Sequence, residues 1–182
     1  MAIRRIYETP EPVLRKISKP VETFDKELKT LVSDMFETMY AAPGIGLAAV
    51  QVGVPIRLLV IDLQEPADPD DPEGKVVRDP RVFINPEILW HSDSDVPYTE
   101  GCLSVPEQYA EVMRPDRIRA KWQDVDGKAY EEEIDGLLAV CLQHEMDHLN
   151  GVLFIDHLSR LKRDMVLKKL AKWRKEQGLK AA

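Results

Sequence analysis

The sequence has few cysteines, no long apolar run and no secretory signal. Two cysteines among 182 residues, Cys102 and Cys141, are too few for a disulfide framework, so we expect a cytoplasmic location in which either thiol is a candidate ligand or nucleophile. No apolar stretch is long enough to span a bilayer, and the first ten residues lack the apolar core and cleavage site of a secretory signal. Internal repeats and domain linkers are also missing, and the sequence therefore predicts one domain over residues 1–182.

The charge is unevenly distributed along the chain. Apolar residues make up 44% and charged residues 31%, as in an ordinary globular domain, and the net charge is −7. Residues 160–182 carry nine Lys and Arg against two acidic residues, whereas the other 159 residues carry a net charge of −14. A basic tail on an acidic body indicates either a surface for a polyanion or acidic partner, or the solvated face of a terminal helix. The charge pattern leaves both interpretations open.

The chemistry centres on the motif Gln143-His144-Glu145-Met146-Asp147-His148. On a helix, His144 and His148 are four residues apart, so both imidazoles project from one face and can bind one divalent metal. Glu145 then lies beside the open coordination position, where it can take a proton from water and pass it on. An amphipathic helix with two incidental histidines is the alternative, but a complete His-Glu-x-x-His in so short a chain favours the metal site.

Hydrophobic periodicity and turn residues predict three helices and four strands. The predicted helices run from Thr23 or Asp25 to Pro43-Gly44, from Gly136 to Asn150-Gly151 and over Leu158–Gly178. The predicted strands are Ile56–Leu63, Val82–Leu89 with an interruption at Asn85-Pro86, and Arg117–Trp122 and Lys128–Ile134 around an Asp126-Gly127 turn. Residues 1–22 and the acidic, proline-rich residues 64–80 are predicted to be irregular, residues 44–53 to form a tight connection, and His91 to lie at the surface.

A catalytic metal needs a third protein ligand. The longer H-E-x-x-H-x-x-G-x-x-H pattern fails because Phe154 stands where the third histidine belongs. Glu176 is the only glutamate after Glu145, and the basic tail is a poor position for a buried ligand. His157 follows the motif helix too closely to be placed. Cys102 remains, and its thiolate favours iron or zinc.

Three segments together resemble the peptide deformylase family: Gly44-Ile-Gly-Leu-Ala-Ala-Val-Gln51, Glu100-Gly-Cys-Leu-Ser104 and Gln143-His-Glu-Met-Asp-His148. They occur in the family's order and at compatible spacing, and the resemblance covers nearly the whole chain. The C-terminus resembles the bacterial type that ends in a helix. The resemblance implies an α+β fold in which antiparallel or mixed β-sheets pack around a central helix carrying the motif, with an N-terminal and a C-terminal helix.

By this resemblance the protein would be a metal-dependent hydrolase that removes the formyl group from the N-terminal formylmethionine of newly synthesised proteins and releases formate. Cys102, His144 and His148 would bind one ion, typically Fe(II), with zinc, nickel or cobalt as substitutes. Glu145 would act as the general base and then as the general acid. The basic C-terminal helix would contact the ribosome, and neither a membrane nor DNA is an expected partner.

The resemblance implies further roles around the substrate. Gln51 and the backbone N–H of Leu103 would hold the oxyanion, and Arg114 resembles a basic residue that supports Glu100 or its loop. The substrate-binding residues would be Ile45, Gly46, Leu47, Gly101, Leu137, Val140 and Cys141.

Two other functions are weighed against this one. A zinc aminopeptidase or endopeptidase is disfavoured because the third histidine and a downstream glutamate ligand are missing. A metal-binding or ribosome-associated protein without catalysis is disfavoured because a purely structural metal site needs neither Glu145 nor Gln51.

Overall fold

The structure is a computed structural model that describes residues 2–181, and of residues 179–181 it describes the backbone alone. Met1 and Ala182, the two ends of the predicted domain, and the side chain of Lys180 in the basic tail lie outside the described residues. The extent of the domain stays a prediction. Over residues 2–181, each helix is too short or too polar to cross a membrane.

The described chain forms an α+β fold with three antiparallel sheets. In chain order its elements are α1 (Lys26–Ala41), β1 (Gly46–Ala48), β2 (Leu58–Ile61), β3 (Glu65–Pro66), β4 (Val76–Val77), β5 (Arg81–His91), β6 (Asp95–Cys102), β7 (Val105–Pro115), β8 (Arg117–Gln123), β9 (Ala129–Asp135), α2 (Gly136–Leu149) and α3 (Arg160–Ala181). The largest sheet has the order β1-β2-β5-β8-β9, and β3 pairs with β4 and β6 with β7. The predicted fold class is confirmed.

Helix α1 begins where its capping residue predicts. The Asp25 carboxylate accepts a hydrogen bond from the Leu28 N–H at 2.9 Å, which satisfies one of the free donors of the first turn. The stripe that the periodicity identified is buried against β1 and β2. Its buried apolar members are Leu28, Leu31, Val32, Met35 and Met39.

The interruption predicted at Asn85-Pro86 is a bulge within one continuous strand. Strand β5 reaches His91, and its pairing with β8 shifts register between Ile84 and Glu87. The bulge absorbs the proline, which lacks a donor for the ladder. Asn85 has a φ of 51° and its side-chain amide exchanges hydrogen bonds with both backbone groups of Val21, which ties the N-terminal segment to the sheet.

Three regions that the sequence left without strands contain paired ones. Within residues 44–53, β1 pairs with β2. Within residues 64–80, β3 and β4 form a short exposed ribbon. Residues 95–115 form the long β6–β7 hairpin, which was not predicted and whose first strand ends at Cys102. The hairpin was missed because β6 contains Pro97 and Gly101 among polar residues, so its local sequence has a weak strand pattern.

Helix α2 lies at the centre of the molecule. Ten of its 14 residues are buried, and it contacts the large sheet through β1, β2, β8 and β9 and the hairpin through β7. Ala139, Leu142 and Leu149 are fully buried in the main core. Helix α3 covers a separate apolar cluster, in which Val166 and Leu170 pack near Val105 and Phe154. The motif helix is therefore enclosed by the sheet on one side and the hairpin on another.

Candidate active site

Helix α2 and the end of β6 bring together three side chains of the types that bind metals. The ligand atoms of Cys102, His144 and His148 all lie within 4.8 Å of one another, and Cys102 Sγ is 3.3 Å from His148 Nε2. An ion bound tetrahedrally by nitrogen and sulfur at about 2.0–2.3 Å requires donor atoms about 3.3–3.8 Å apart. The Cys102–His148 pair has this separation and the other pairs lie within 4.8 Å, so the three residues could hold a single ion. The cluster includes Cys102, which the sequence left as the candidate for the third ligand.

A buried chain of charged groups orients the first histidine. His144 Nδ1 donates to Glu100 Oε1 at 2.8 Å, which leaves His144 Nε2 free to act as a ligand. Arg114 binds both oxygens of Glu100, at 2.5 and 2.8 Å, and reaches Asp147 Oδ2 at 3.0 Å. Glu100 and Arg114 are 6% and 4% exposed, so their charges are compensated by each other rather than by water. His157 binds Asp147 at 2.8 Å and lies outside the metal-binding cluster.

Burial and hydrogen bonding set the protonation states of the site. Burial opposes ionisation of Glu100, but hydrogen bonds from Arg114 and His144 outweigh it and hold the pKa of Glu100 below its usual value. Burial lowers the pKa of His148 well below its usual value, which favours the neutral, metal-binding imidazole. Burial also lowers the pKa of His144, yet hydrogen bonds to Cys102 and Glu100 raise it well above normal. The neighbouring groups that stabilise a proton on the His144 ring also stabilise a metal cation bound there instead of the proton.

Glu145 lies beside the cluster with an altered acidity. Burial raises the pKa of Glu145 to about 7, and its Oε1 is 4.0 Å from His144 Nε2. A carboxyl group with such a pKa both accepts and returns protons near neutral pH. Strand β1 passes so close that a Cβ at Gly46 would lie 2.6 Å from Glu145 Oε1. Glycine at this position keeps the carboxylate accessible.

Gln51 reaches the same place from the opposite side. It follows β1 in a short 3-10 helix, Ala49–Val52, and is 1% exposed. Its Nε2 is 3.5 Å from Cys102 Sγ and 3.0 Å from Ser104 Oγ, and its Oε1 accepts from the Ala48 N–H at 2.8 Å. A donor group is thus held beside the metal-binding thiol.

A cavity of about 600 Å³ opens onto these groups. The predicted site residues in its wall are Ile45, Gly46, Gln51, Gly101, Cys102, Leu103, His144 and Glu145. Four predicted substrate-binding residues do not line it: Leu47, Val140 and Cys141 are buried in the core, and Leu137 is partly buried. Tyr109, which is 66% exposed, lies at the rim and covers Gly101, where an added Cβ would lie 2.5 Å from the tyrosine ring.

The sequence reasoning missed most of the residues that support the site. The family resemblance implied that Arg114 supports Glu100 or its loop. It did not imply that Glu100 orients His144. A signal was available, because Glu100 and Cys102 are two residues apart and point to one face of a strand. That signal has meaning only if residues 95–102 are recognised as a strand. Ser104 gave no comparable signal.

The chain is similar over most of its length to proteins of one family. Residues 3–164 match the family model described as polypeptide deformylase. A peptide deformylase of Novosphingobium aromaticivorans is 65% identical, covering 96% of this chain and 99% of that protein. The crystal structure of a peptide deformylase from Legionella pneumophila has a TM-score of 0.86 at 48% identity, covering 97% and 98% of the two chains. That of Ehrlichia chaffeensis in complex with actinonin has a TM-score of 0.84 at 42% identity, covering 94% and 98%.

Proposed function

The chain belongs to the peptide deformylase family, and from this premise we propose which of its residues carry out the family's reaction. The family removes the N-formyl group from an N-terminal methionine, and this chain is a metal-dependent hydrolase of that kind. The convergence of Glu145 and Gln51 on the cluster of Cys102, His144 and His148 supports the assignment of roles.

The proposed metal ligands are Cys102, His144 and His148, and the proposed ion is Fe(II), with zinc, nickel or cobalt as substitutes. A thiolate with two imidazoles is a donor set that suits these ions. A divalent ion held there supplies Lewis acidity, which polarises a carbonyl group and makes water a better nucleophile at neutral pH. Glu100 keeps His144 in the tautomer that leaves its Nε2 as the ligand atom.

Glu145 acts as the base and then as the acid. Its carboxylate takes a proton from the water that attacks the formyl carbon, holds it in the buried site, and gives it to the methionine nitrogen as the C–N bond breaks. The products are formate and a peptide with a free amino group. The pKa of about 7 that burial imposes on Glu145 suits both halves of this transfer.

Gln51 and the Leu103 backbone N–H stabilise the oxygen that becomes negative during the attack. The Gln51 amide is held in place by three protein partners. Donors held in place in this way need no reorganisation when charge develops, and removing one typically costs about 10²–10³ in rate.

The peptide backbone pairs with β1 as an added strand. Strand β1 is at an edge of the large sheet, so the side opposite β2 has unpaired backbone groups, as an extended ligand requires. Ile45, Gly46 and Leu47 supply this edge, and Gly101 allows close approach from the hairpin. Leu137, Val140 and Cys141 precede His144 on α2 and remain the predicted wall for the methionine side chain, although they do not line the cavity.

Fe(II)-loaded protein and a formyl-Met tripeptide test the reaction. We expect formate and an intact tripeptide with a free amine by mass spectrometry, and loss of metal in Cys102→Ser. Cleavage between residues with the formyl group retained would instead make the chain a peptidase.

We also propose that actinonin, which the Ehrlichia chaffeensis relative binds, occupies this cavity. Titration calorimetry with Gln51→Ala as the matched variant checks this without turnover.

The substrate is the nascent formylated polypeptide in the cytoplasm, and α3 contacts the ribosome. The exposed lysines of α3 face solvent on an otherwise acidic protein, which favours contact with ribosomal RNA. Substitution is a better test than truncation, because α3 also buries Val166 and Leu170. We expect Lys168→Glu with Lys172→Glu to reduce pelleting with ribosomes, while Lys16→Glu with Lys75→Glu leaves it unchanged. Equal pelleting of both variants would contradict this contact.

A further inference from the structure

A buried hydroxyl connects the N-terminal segment to the proposed oxyanion donor. Ser104 is fully buried, and its Oγ is 2.7 Å from the Tyr7 carbonyl oxygen and 3.0 Å from Gln51 Nε2. Ser104 lies two residues after Cys102 and lines no part of the cavity described above. It therefore has no direct contact with substrate, yet it touches the one side chain proposed to hold the oxyanion.

The hydrogen-bond directions in this cluster are determined by two backbone groups, one of which can only accept a hydrogen bond and the other only donate one. The Tyr7 carbonyl can only accept, so the single hydrogen of the Ser104 hydroxyl points to it. The lone pairs of Ser104 Oγ are then left to accept from Gln51 Nε2. On the other side of the amide, the Ala48 N–H can only donate, so it must face Gln51 Oε1.

These two constraints exclude a flipped Gln51 amide. A flip would place Gln51 Nε2 against the Ala48 N–H, donor against donor, and Oε1 against a serine oxygen whose hydrogen is already used. The observed orientation directs the second Nε2 hydrogen towards Cys102 Sγ, 3.5 Å away, and hence towards the proposed metal site. A flipped amide would present an oxygen there, which would repel a developing oxyanion.

The N-terminal segment supplies the rigid acceptor that this arrangement needs. The Tyr7 N–H donates to the Gln51 carbonyl at 2.8 Å, and the Thr9 N–H donates to the Ser104 carbonyl at 2.8 Å. Arg174 of α3 in turn donates to the Thr9 carbonyl at 2.6 Å. The backbone of residues 7–9 is thus bonded to both residues of the pair and held from outside by the last helix.

We propose that Ser104, fixed by residues 7–9, is a positioning residue that keeps the Gln51 amide donor directed into the active site. This rests on the proposed function of Gln51. Ser104→Ala leaves one Nε2 hydrogen without its acceptor and frees the side chain to rotate. We expect kcat to fall about tenfold, which is less than for Gln51→Ala, with little change in KM.

A double-mutant cycle separates positioning from a general structural role. Ser104→Ala and Gln51→Ala are measured singly and together on metal-loaded protein of verified metal content. If Ser104 acts only through Gln51, then Ser104→Ala has no further effect on kcat in the Gln51→Ala background. An equal loss in both backgrounds would overturn the inference. An unchanged kcat in Gln51→Ala alone would overturn the role of Gln51 instead.

Matched substitutions control for packing. Ser104→Thr and Ser104→Val add similar bulk, but only the threonine variant keeps the hydroxyl group. A higher kcat for the threonine variant would isolate the effect of the hydrogen bond. Equal kcat values for the two variants would contradict the proposal. Ser18 is also buried, at 3% exposure, and Ser18→Ala provides a control away from the site that we expect to keep its kcat.

A measurement without turnover completes the test. In zinc-loaded protein, the Gln51 side-chain amide hydrogens are expected to exchange slowly with solvent and to have well separated NMR signals. Ser104→Ala should speed this exchange while the backbone amides of α2 keep their protection. Unchanged Gln51 signals in that variant would show that Ser104 does not hold the amide.

Discussion

The two C-terminal helices are close in sequence and opposite in character. Helix α2 has ten buried residues among 14 and carries Glu145 and two of the proposed metal ligands. Helix α3 has 22 residues, and among those whose side chains are described only Val166 and Leu170 are buried. The first is anchored by the buried pair of Arg114 with Glu100, extended to the partly buried Asp147. The second is anchored by a partly exposed pair of Arg174 with Glu8.

This difference matches the roles proposed for the two helices, which are catalysis for α2 and ribosome contact for α3. A helix surrounded by protein can hold a metal-binding histidine in one orientation, because each neighbour restricts its rotamer and its hydrogen bonds. A helix with a narrow buried stripe keeps most of its charges in water, where they remain available to a polyanion. Equivalent substitutions on the two helices should therefore differ strongly in their effects.

The largest difference is expected for glutamate in the two helices. Glu145→Gln on α2 removes the proton-transfer group, and we expect kcat to fall about 10²–10⁴-fold while metal content stays the same. Glu176→Gln on α3 alters an exposed side chain, and its kcat should be unchanged. Steady-state kinetics with metal analysis checks both, and equal activity of the Glu145→Gln variant would remove the proposed acid–base role.

Breaking the buried anchor of α2 should cost much more stability than breaking the exposed anchor of α3. Arg114→Met leaves the buried Glu100 carboxylate without its charged partner and with only the hydrogen bond from His144. We expect the free energy of unfolding to fall by about 3–5 kcal/mol. Glu8→Gln removes the partner of Arg174 at the surface, where such pairs contribute less than about 1 kcal/mol. Denaturant unfolding measures both, and similar losses would mean that the buried network is not the stronger anchor.

Thiol reactivity should also distinguish the two helices. Burial raises the pKa of Cys141 on α2 to about 12, so almost none of it is thiolate at pH 8. A cysteine placed on α3 by Gln177→Cys is exposed, and iodoacetamide should label it about a thousandfold faster. Peptide mapping distinguishes these sites from Cys102, and rapid labelling of Cys141 in the folded protein would show that this face of α2 opens.

One methionine on each helix gives a matched pair for packing. Met146 is 8% exposed in the main core, and Met146→Ala should lower the free energy of unfolding by about 2–5 kcal/mol. Met165 is 50% exposed, and Met165→Ala should change it by no more than about 0.5 kcal/mol. Thermal and denaturant unfolding check this difference, which would vanish if α3 packed against further protein in solution.

The smallest expected effect is on the pH dependence of stability. The folded pKa of Glu100 lies below its usual value of 4.5, so its contribution is complete above that pH and is lost as pH falls through the folded pKa. Arg114→Met removes the main cause of the shift. The stability difference between the two proteins should therefore narrow as pH falls below 4.5. If the free energies of unfolding of the two proteins changed in parallel between pH 7 and pH 3, Arg114 would not be the cause of the lowered pKa of Glu100.

The sequence alone determined the elements whose signals are local. Helix α1 follows from the Asp25 cap and a regular apolar stripe, the β8–β9 hairpin from its Asp126-Gly127 turn, and α2 with its paired histidines from helical spacing. In each, the residues that specify the structure lie within a few positions of one another, so propensity and periodicity are sufficient. The same holds for the position of Glu145 beside the two histidines.

Tertiary structure alone decided what surrounds those elements. Glu100 and His144 are 44 residues apart, Gln51 and Ser104 are 53 apart, and Ser104 and Tyr7 are 97 apart. No local pattern encodes such pairs, because each depends on where the β6–β7 hairpin and the N-terminal segment pack against α2. The sequence determined which groups are proposed to react, and the packing of distant segments decided how those groups are oriented and protonated.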